Sequence, residues 1–195
     1  MMRRLIAFDM VTLDGCYAST DGDFSWTHRR ERDAEWDAFV QGNADSGGEL
    51  VFGRVTYQMM ASWWPTPAAA QNEPAVAERM NALPKFVCSR TLREAAWNNT
   101  AVLEGDAIPR LRTLKSEPGA DLVILGSGEL VASLGPAGLI DEYQLVIVPV
   151  VLGRRGRSLF GGFAAGMDLR LARSRRFGNG NMLLCYEPQG RVGDP

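Results

Sequence analysis

The feature that most constrains this chain is a short apolar run that ends at a glycine and passes at once into a helical pattern. It occurs twice, because residues 50–52 end at Gly53 and residues 123–125 end at Gly126. This arrangement is typical of α/β folds, in which a buried strand runs directly into a helix. Both glycines are therefore predicted to lie at the carboxyl ends of parallel strands, the edge at which such sheets bind ligands.

The same alternation of strand-like and helix-like segments continues along the chain. Strands are predicted at residues 5–8, 49–52, 85–88, 101–103, 122–125, 143–148, 169–177 and 182–186. Helices are predicted at residues 30–41, 56–62, 74–83, 108–115 and 129–134, and a proline-containing loop at 61–74. The pattern predicts an α/β fold with a mainly parallel central sheet flanked by helices. The Gly178-Asn179-Gly180-Asn181 turn adds an antiparallel C-terminal hairpin.

Length and composition are those of one globular domain, which we expect to span residues 1–195. Hydrophobic residues make up 46% of the chain, enough for a substantial core. The net charge of −2 argues against nucleic acid as the main partner, because phosphate binding needs a concentrated positive surface. Two local basic clusters, at residues 154–157 and 173–176, are expected to be solvated surface.

Cysteine usage and the distribution of apolar residues favour a cytoplasmic protein. The cysteines are odd in number and far apart in the chain, which predicts buried free thiols at Cys16, Cys88 and Cys185. The N-terminal segment reaches Asp9 too soon to form the apolar core of a signal peptide. The longest apolar run, residues 145–152, is too short to cross a bilayer, so no membrane partner is expected.

The first glycine junction carries groups suited to binding a phosphate. Gly53 allows an anion to approach the backbone closely, and the helix that follows presents unpaired N–H groups at its start. Arg54 adds a positive charge, and Thr56 adds a hydroxyl in the first turn of that helix. The alternative interpretation is a tight turn with an ordinary helix cap.

Two further segments have a similar character. Residues 126–128 resemble half of a dinucleotide-binding fingerprint without its third glycine, and the alternative is a strand–helix turn capped by Ser127. Ser89, Arg90 and Thr91 follow another predicted strand, where an arginine suits a bidentate phosphate contact. The alternative for this segment is an exposed loop arginine. Together, the three strand ends outline a long, multiply phosphorylated ligand that lies across the edge of the sheet.

These segments, in this order, resemble the dihydrofolate-reductase-like superfamily. More closely, they resemble the reductase domain of the bifunctional riboflavin-biosynthesis deaminase-reductase and its stand-alone relatives. The resemblance extends from about residue 5 to residue 186. The segments that carry it are Met10-Val11-Thr12-Leu13-Asp14-Gly15, Phe52-Gly53-Arg54-Val55-Thr56-Tyr57, Cys88-Ser89-Arg90-Thr91-Leu92, Leu125-Gly126-Ser127-Gly128-Glu129-Leu130, and residues 138–143, 149–153 and 159–160.

The resemblance implies reduction of a small heterocyclic substrate, with NADPH as the source of the hydride and the protein as the source of orientation and a proton. Folates and ribosylaminopyrimidines are the family's precedents for the substrate. The implied cofactor-binding residues are Thr12, Gly53, Arg54, Thr56, Ser89, Arg90, Thr91, Gly126, Ser127, Gly128, Glu129 and Leu130. The expected partners are this small molecule and a second copy of the chain in a homodimer.

Three acidic residues are candidates for the catalytic role. Glu35 lies four residues before Phe39, the spacing at which dihydrofolate reductases place the helix acid that serves the pterin. Such a carboxylate would hydrogen-bond a heterocycle and help to protonate it, although a surface acid on a helix is the alternative. Asp37 is a second candidate on the same predicted helix. Asp14 is the third, because the loop after the first strand borders the nicotinamide in the family, but turn chemistry explains an Asp-Gly pair equally well.

The chain also departs from the bifunctional enzyme. The H-x-E…P-C-x-x-C signature of zinc deaminases is absent, and the single histidine, His28, is expected to be a loop residue. We therefore expect no metal and no deamination. Trp26, Trp63 and Trp64 could form an aromatic wall for a flat ring or belong to the core.

Two other classes of function remain open on the sequence alone. The first is a nucleotide-binding module that binds the cofactor without turnover. The second is an assembly scaffold of the same fold, in which the apolar stretch at residues 143–152 and the late hairpin pair with a second copy.

Overall fold

An eight-stranded sheet forms the centre of the structure, a computed structural model that describes residues 3–28, 33–44 and 47–191. The strands are β1 Leu5–Thr12, β2 Cys16–Ser19, β3 Glu49–Gly53, β4 Lys85–Ser89, β5 Thr100–Glu104, β6 Leu122–Leu125, β7 Glu142–Val148, β8 Gly156–Ser158, β9 Met167–Arg176 and β10 Met182–Arg191. The order in the main sheet is β5-β4-β3-β6-β1-β7-β10-β9, and β2 pairs with β8 in a small separate sheet. The first six strands of that order are parallel, β10 pairs antiparallel with β7, and β9 pairs antiparallel with β10.

Helices cover both faces of the sheet. They are α1 Ala34–Ala44, α2 Arg54–Trp63, α3 Pro67–Asn72, α4 Pro74–Ala82, α5 Ala107–Ser116 and α6 Gly128–Leu134, with 3₁₀ turns at Ser25–His28 and Gly153–Arg155. Helices α5 and α6 pack on one face, and α1, α2 and α4 pack on the other. β1 contributes side chains to the cores on both faces of the sheet. Ala7 and Val11 are buried with α5 and α6, whereas Phe8 and Met10 face α1.

The architecture confirms the predicted fold, a mainly parallel sheet with an antiparallel C-terminal hairpin. The predicted helix at residues 30–41 corresponds to α1, although its residues 30–32 lie outside the described ranges. The prediction of a loop over residues 61–74 is wrong, because α3 lies within it. Proline favours a loop by local rules, but Pro67 and Pro74 each occupy the start of a helix, where no backbone N–H is needed.

Two further differences concern strands. β1 extends to Thr12, four residues beyond its predicted end at Phe8, because its pairing with β7 continues to Val148. The short strands β2 and β8 were not predicted. Each gains its partner only through a contact between distant parts of the chain, with Cys16 opposite Ser158.

The structure also bears on the predicted free cysteines and on the scaffold alternative. The three cysteines are buried and unpaired, as predicted. Residues 143–148, on which the scaffold alternative relied, form β7 between β1 and β10, so both edges of this strand are already hydrogen-bonded.

Across the described ranges, no helix has the length and apolar character needed to span a membrane. The described residues also contain no group of histidine, cysteine and carboxylate side chains that could hold a metal ion.

Candidate active site

The carboxyl ends of β4, β3 and β6 lie side by side at one edge of the sheet. β3 pairs in parallel with β4 on one side and with β6 on the other. In this register Gly53 lies opposite Cys88, and Ser89 follows at the end of β4. The three segments that the sequence predicts to bind phosphate are therefore adjacent in space.

A hydrogen bond between two of these segments braces the edge. The backbone N–H of Gly53 donates to Ser127 Oγ at 2.9 Å, which joins the turn before α2 to the turn before α6. Ser127 adopts a left-handed backbone conformation with φ of 68°. Gly126 has φ of 64°, and a Cβ atom at this position would lie 3.4 Å from Thr56 Cγ2. The two turns are packed closely enough to present their backbones to one ligand.

The start of α2 keeps its N–H groups free of a side-chain cap. Gly53 occupies the cap position and has no side chain to satisfy the first turn, so these donors face the edge of the sheet. Arg54 is exposed, and its guanidinium donates to Gln58 Oε1 at 3.0 Å. This local geometry suits an anion that reaches the edge from solvent.

The loop after β4 is shaped by its serine. Ser89 is buried, and its hydroxyl oxygen accepts hydrogen bonds from the N–H groups of Thr91 at 3.1 Å and Leu92 at 2.8 Å. Thr91 and Arg90 are exposed on this loop, and Arg90 forms no ion pair with any described residue. By contrast Arg93, three residues later, pairs with a carboxylate on β5 at 2.7 Å. Arg90 is thus a positive charge held at the strand end without a partner among the described residues.

Two predicted cofactor residues on α6 have other contacts. Glu129 is exposed and forms an ion pair with Arg157 of β8. Leu130 is buried in the core, and its N–H donates to the carbonyl of Ser127 at 2.8 Å. The structure therefore brings Gly126, Ser127 and Gly128 to the edge but keeps the Leu130 side chain away from it.

Thr12 and Asp14 form a brace within the loop after β1. Thr12 is fully buried, and its hydroxyl donates to Asp14 at 2.5 Å and accepts from the N–H of Cys16 at 3.0 Å. The Asp14 carboxylate also accepts from the N–H groups of Gly153 at 2.8 Å and Leu152 at 3.3 Å. These hydrogen bonds, the one from Thr12 first, lower the pKa of Asp14. Asp14 is therefore an ionised structural group and a poor source of protons.

β1 opens towards the braced turns after Phe8. Its pairing with β6 ends at Phe8 and Leu125, although β1 continues along β7 to Thr12. The N–H of Gly126 donates to the carbonyl of Phe8 at 2.9 Å and closes the shared part of the two strands. Beyond this bond, the described structure leaves the side of β1 that faces β6 without a strand neighbour.

An unpredicted acid lies at this opening. Asp9 is only 3% exposed, and its Oδ2 atom has no hydrogen-bond partner among the described residues. Burial raises the pKa of this carboxyl to about 8, so it is mostly protonated at neutral pH. The sequence contained one signal for it, a single acid within the otherwise apolar run of residues 5–11.

A cleft of about 430 Å³ lies on the α1 face of the sheet, between α1, the start of α4 and the β9–β10 turn. Asp37 and Trp36 of α1 line it, together with His28, Asn179 and Asn181. Asn181 is 1% exposed, and its Oδ1 atom has no partner among the described residues. The cleft combines an aromatic surface with several polar groups, which suits a small polar ring.

The start of α1 fixes one wall of this cleft. The carboxylate of Asp33 accepts from the N–H of Asn179 at 2.7 Å and from the N–H of Glu35 at 2.8 Å, which ties the hairpin turn to the helix. A hydrogen bond from the N–H of Trp36 is the main cause of the lowered pKa of Asp33, and the bonds from Asn179 and Glu35 lower it further. Glu35 itself is exposed and is not part of the cleft lining, whereas Asp37 is.

The sequence leaves open whether three tryptophans form an aromatic wall or belong to the core, and the structure places the three differently. Trp26 is buried in the core beside β7 and β10, with its indole N–H unpartnered among the described residues. Trp63 is 40% exposed, and Trp64 is half-buried with its indole N–H on the sulfur of Met60. None of these three lines the cleft, where the tryptophan is Trp36.

Comparisons with known proteins agree with this architecture. A sequence profile of the RibD C-terminal domain matches residues 3–183. The uncharacterized protein YyaP of Bacillus subtilis (strain 168) is 29% identical over 189 residues, which is 96% of each chain.

Two solved structures share the fold. One is a protein from Shewanella sp. PV-4, provisionally assigned to riboflavin biosynthesis, with a TM-score of 0.76 and 23% identity over 97% of this chain and 99% of that one. The other is dihydrofolate reductase from Enterococcus faecalis in complex with NADP(H), with a TM-score of 0.62 and 12% identity over 97% and 99% of the two chains. The protein belongs to the RibD C-terminal domain family and has the dihydrofolate-reductase-like fold.

Proposed function

We propose that the protein is a reductase that uses NADPH to reduce a small heterocyclic substrate. The family and the fold together support a reductase of the dihydrofolate-reductase type. The observation that carries the proposal is the hydrogen bond from Gly53 to Ser127, because it joins two turns suited to phosphate at adjacent strand ends. The dihydrofolate reductase that shares the fold was crystallised with NADP(H), which supports the choice of cofactor.

The residues at the edge fit such a cofactor. The uncapped start of α2 and the close turn at Gly126 offer backbone N–H groups for a pyrophosphate. Arg90, exposed at the end of β4, would hold the 2′-phosphate that distinguishes NADPH from NADH. The opening of β1 beside Asp9 would take the nicotinamide end. When bound, the cofactor supplies the hydride, and the protein supplies orientation.

The cleft beside α1 is the proposed substrate site. Aromatic contacts connect this cleft to the opening of β1. The ring centroids of Phe8 and Phe39 are 6.3 Å apart, and those of Phe39 and Trp36 are 5.5 Å apart. Trp36 offers a surface on which a flat ring can stack. Asp37 and the unpartnered oxygen of Asn181 offer hydrogen-bond acceptors for ring N–H and amino groups. In this arrangement Asp37, rather than Glu35, contacts the substrate and delivers the proton.

The test is NADPH oxidation with a panel of flat nitrogen heterocycles, followed by the loss of absorbance of the reduced cofactor. We expect at least one compound to be reduced, and we expect Asp37→Asn to slow that turnover about a hundredfold while cofactor binding is kept. Cofactor binding without oxidation across the whole panel would instead favour the nucleotide-binding module. A homodimeric state and a cytoplasmic location remain predictions.

A further inference from the structure

Asp9 is a buried carboxyl with nothing in the described structure to satisfy it. It lies on β1 opposite Leu145 of β7, one residue past the point at which β1 loses β6 as a neighbour. Its Oδ2 atom is unpartnered, and the residue is 3% exposed. An unsatisfied buried acceptor is costly, and native structures retain such groups where they have a use. Asp9 therefore indicates a ligand at the opening.

The surroundings of Asp9 hold almost no compensating charge. Tyr17 of β2 is one titratable group close enough for the charge of Asp9 to affect its phenol. A Cβ atom on Gly128 would collide with the ring of Tyr17, so this ring packs directly behind the glycine turn. Burial raises the pKa of Tyr17, and the charges of Arg157, Glu129 and Asp9 contribute less. Arg157 and Glu129 pair with each other on the exposed side of the ring. They leave Asp9 without a cation of its own among the described residues.

We propose that Asp9 responds to the charge of the nicotinamide ring, staying protonated beside the uncharged reduced ring and ionising beside the positively charged oxidised ring. The inference rests on the proposed function, because it requires a nicotinamide at the opening of β1. Its physical reason is that a carboxylate in a buried site of low dielectric is stabilised strongly by an adjacent positive charge. The proton that Asp9 gives up passes to solvent, and no bond to the ligand forms.

A consequence for the reaction follows directly. An ionised Asp9 would face the positive charge that a nicotinamide ring carries in its oxidised form. Asp9 is thus a positioning residue that favours the oxidised state electrostatically, in contrast to Asp37, which is proposed to contact the substrate.

The test compares the affinities of the two cofactor forms at different pH values. Calorimetric titrations of the wild-type protein with NADP⁺ and with NADPH are made at pH 6.5 and pH 9. Both forms carry the same 2′-phosphate, so its titration cancels in the ratio of the two dissociation constants. We expect the ratio of the NADP⁺ value to the NADPH value to fall about tenfold as the pH rises, since one unit of coupled pKa shift changes an equilibrium tenfold.

Variants assign the effect to Asp9. Asp9→Asn should give a ratio that does not change with pH, while Asp168→Asn, which removes an exposed carboxylate on β9, should behave like the wild type. Infrared difference spectra of the wild-type complexes need no variant. They should show a protonated carboxyl in the NADPH complex that is lost in the NADP⁺ complex.

The outcomes separate the two proposals. Binding of both cofactor forms with a pH-independent ratio would overturn the role of Asp9 and leave the reductase proposal intact. A pH-dependent ratio that persists in Asp9→Asn would also overturn it. Failure of the wild type to bind either form would overturn the proposed function and this inference together.

Discussion

The backbone N–H of Gly53 donates to Ser127 Oγ at 2.9 Å, across 74 residues of sequence. The bond connects the ends of two adjacent parallel strands and holds Ser127 in a left-handed conformation that only a few non-glycine residues adopt. A strained residue that is held by a specific contact at the carboxyl edge of the sheet is consistent with the proposed site, whose backbone would be fixed before a ligand binds.

Removal of this brace should weaken cofactor binding. In Ser127→Ala the Gly53 N–H loses its acceptor, and we expect the dissociation constant for NADPH to rise about fivefold, in line with the loss of one hydrogen bond. Ser133→Ala is the matched control, because Ser133 lies on α6, the helix that follows Ser127, and its hydroxyl donates only to the carbonyl of Leu130 in that helix. The measurement is calorimetric titration, and equal affinities for Ser127→Ala and Ser133→Ala would argue against the brace.

Arg90 should discriminate between the two nicotinamide cofactors. In Arg90→Ala, we expect NADPH to bind about tenfold more weakly or worse, because a charge-assisted contact with the 2′-phosphate is lost. NADH lacks this phosphate, so its affinity should stay the same. Arg93→Ala, in the same loop but paired with Glu104, should alter neither affinity. An equal loss for both cofactors in Arg90→Ala would contradict the assignment.

The two acids of α1 should have unequal effects on turnover. Asp37 lines the cleft, so Asp37→Asn should lower kcat about a hundredfold with the first substrate that supports NADPH oxidation. Glu35 is exposed outside the cleft lining, so Glu35→Gln should retain activity within about twofold. Steady-state kinetics of the two variants decide between them, and the reverse ranking would restore Glu35 as the substrate-binding acid.

Asp9 should also leave a signature in stability. Burial raises its pKa from 3.8 to about 8 in the folded protein, so from about pH 4 to about pH 8 the folded state keeps a proton that the unfolded chain has lost. Folding therefore becomes less favourable as pH rises through this window, by at most about 1.4 kcal/mol per pH unit. The Asp9→Asn variant has no carboxyl at this position to titrate in this window. Its free energy of unfolding should therefore increase relative to that of the wild type from pH 4 to pH 8. Urea unfolding at several pH values checks this, and a constant difference would show that Asp9 is already ionised.

The strand–glycine–helix junctions made most of the architecture predictable. Local signals were sufficient at Gly53 and Gly126, where an apolar run ends at a glycine and a helical pattern follows. Proline misled the prediction at residues 61–74, because the same residue that breaks a helix also starts one. The turn at residues 178–181 was predictable from its glycines and asparagines, and it also forms one wall of the cleft.

The site was less predictable, since it depends on contacts between distant segments. No local sequence pattern predicts the hydrogen bond from the N–H of Asn179 to the Asp33 carboxylate. This bond joins residues 146 positions apart and shapes the cleft. Asp9 is the single acid in an apolar run, and it lies one residue past the predicted end of β1 at Phe8. Only the pairing with β7 shows that the strand continues and that the acid is buried inside it.

The most direct test of the central claim is a titration of the purified protein with NADPH and, separately, with NADH, followed by tryptophan fluorescence. Five tryptophans, one of them in the cleft, make the signal easy to follow. The account predicts saturable quenching by both cofactors with tighter binding of NADPH. The absence of saturable binding of either cofactor at millimolar concentration, confirmed by calorimetry, would contradict it.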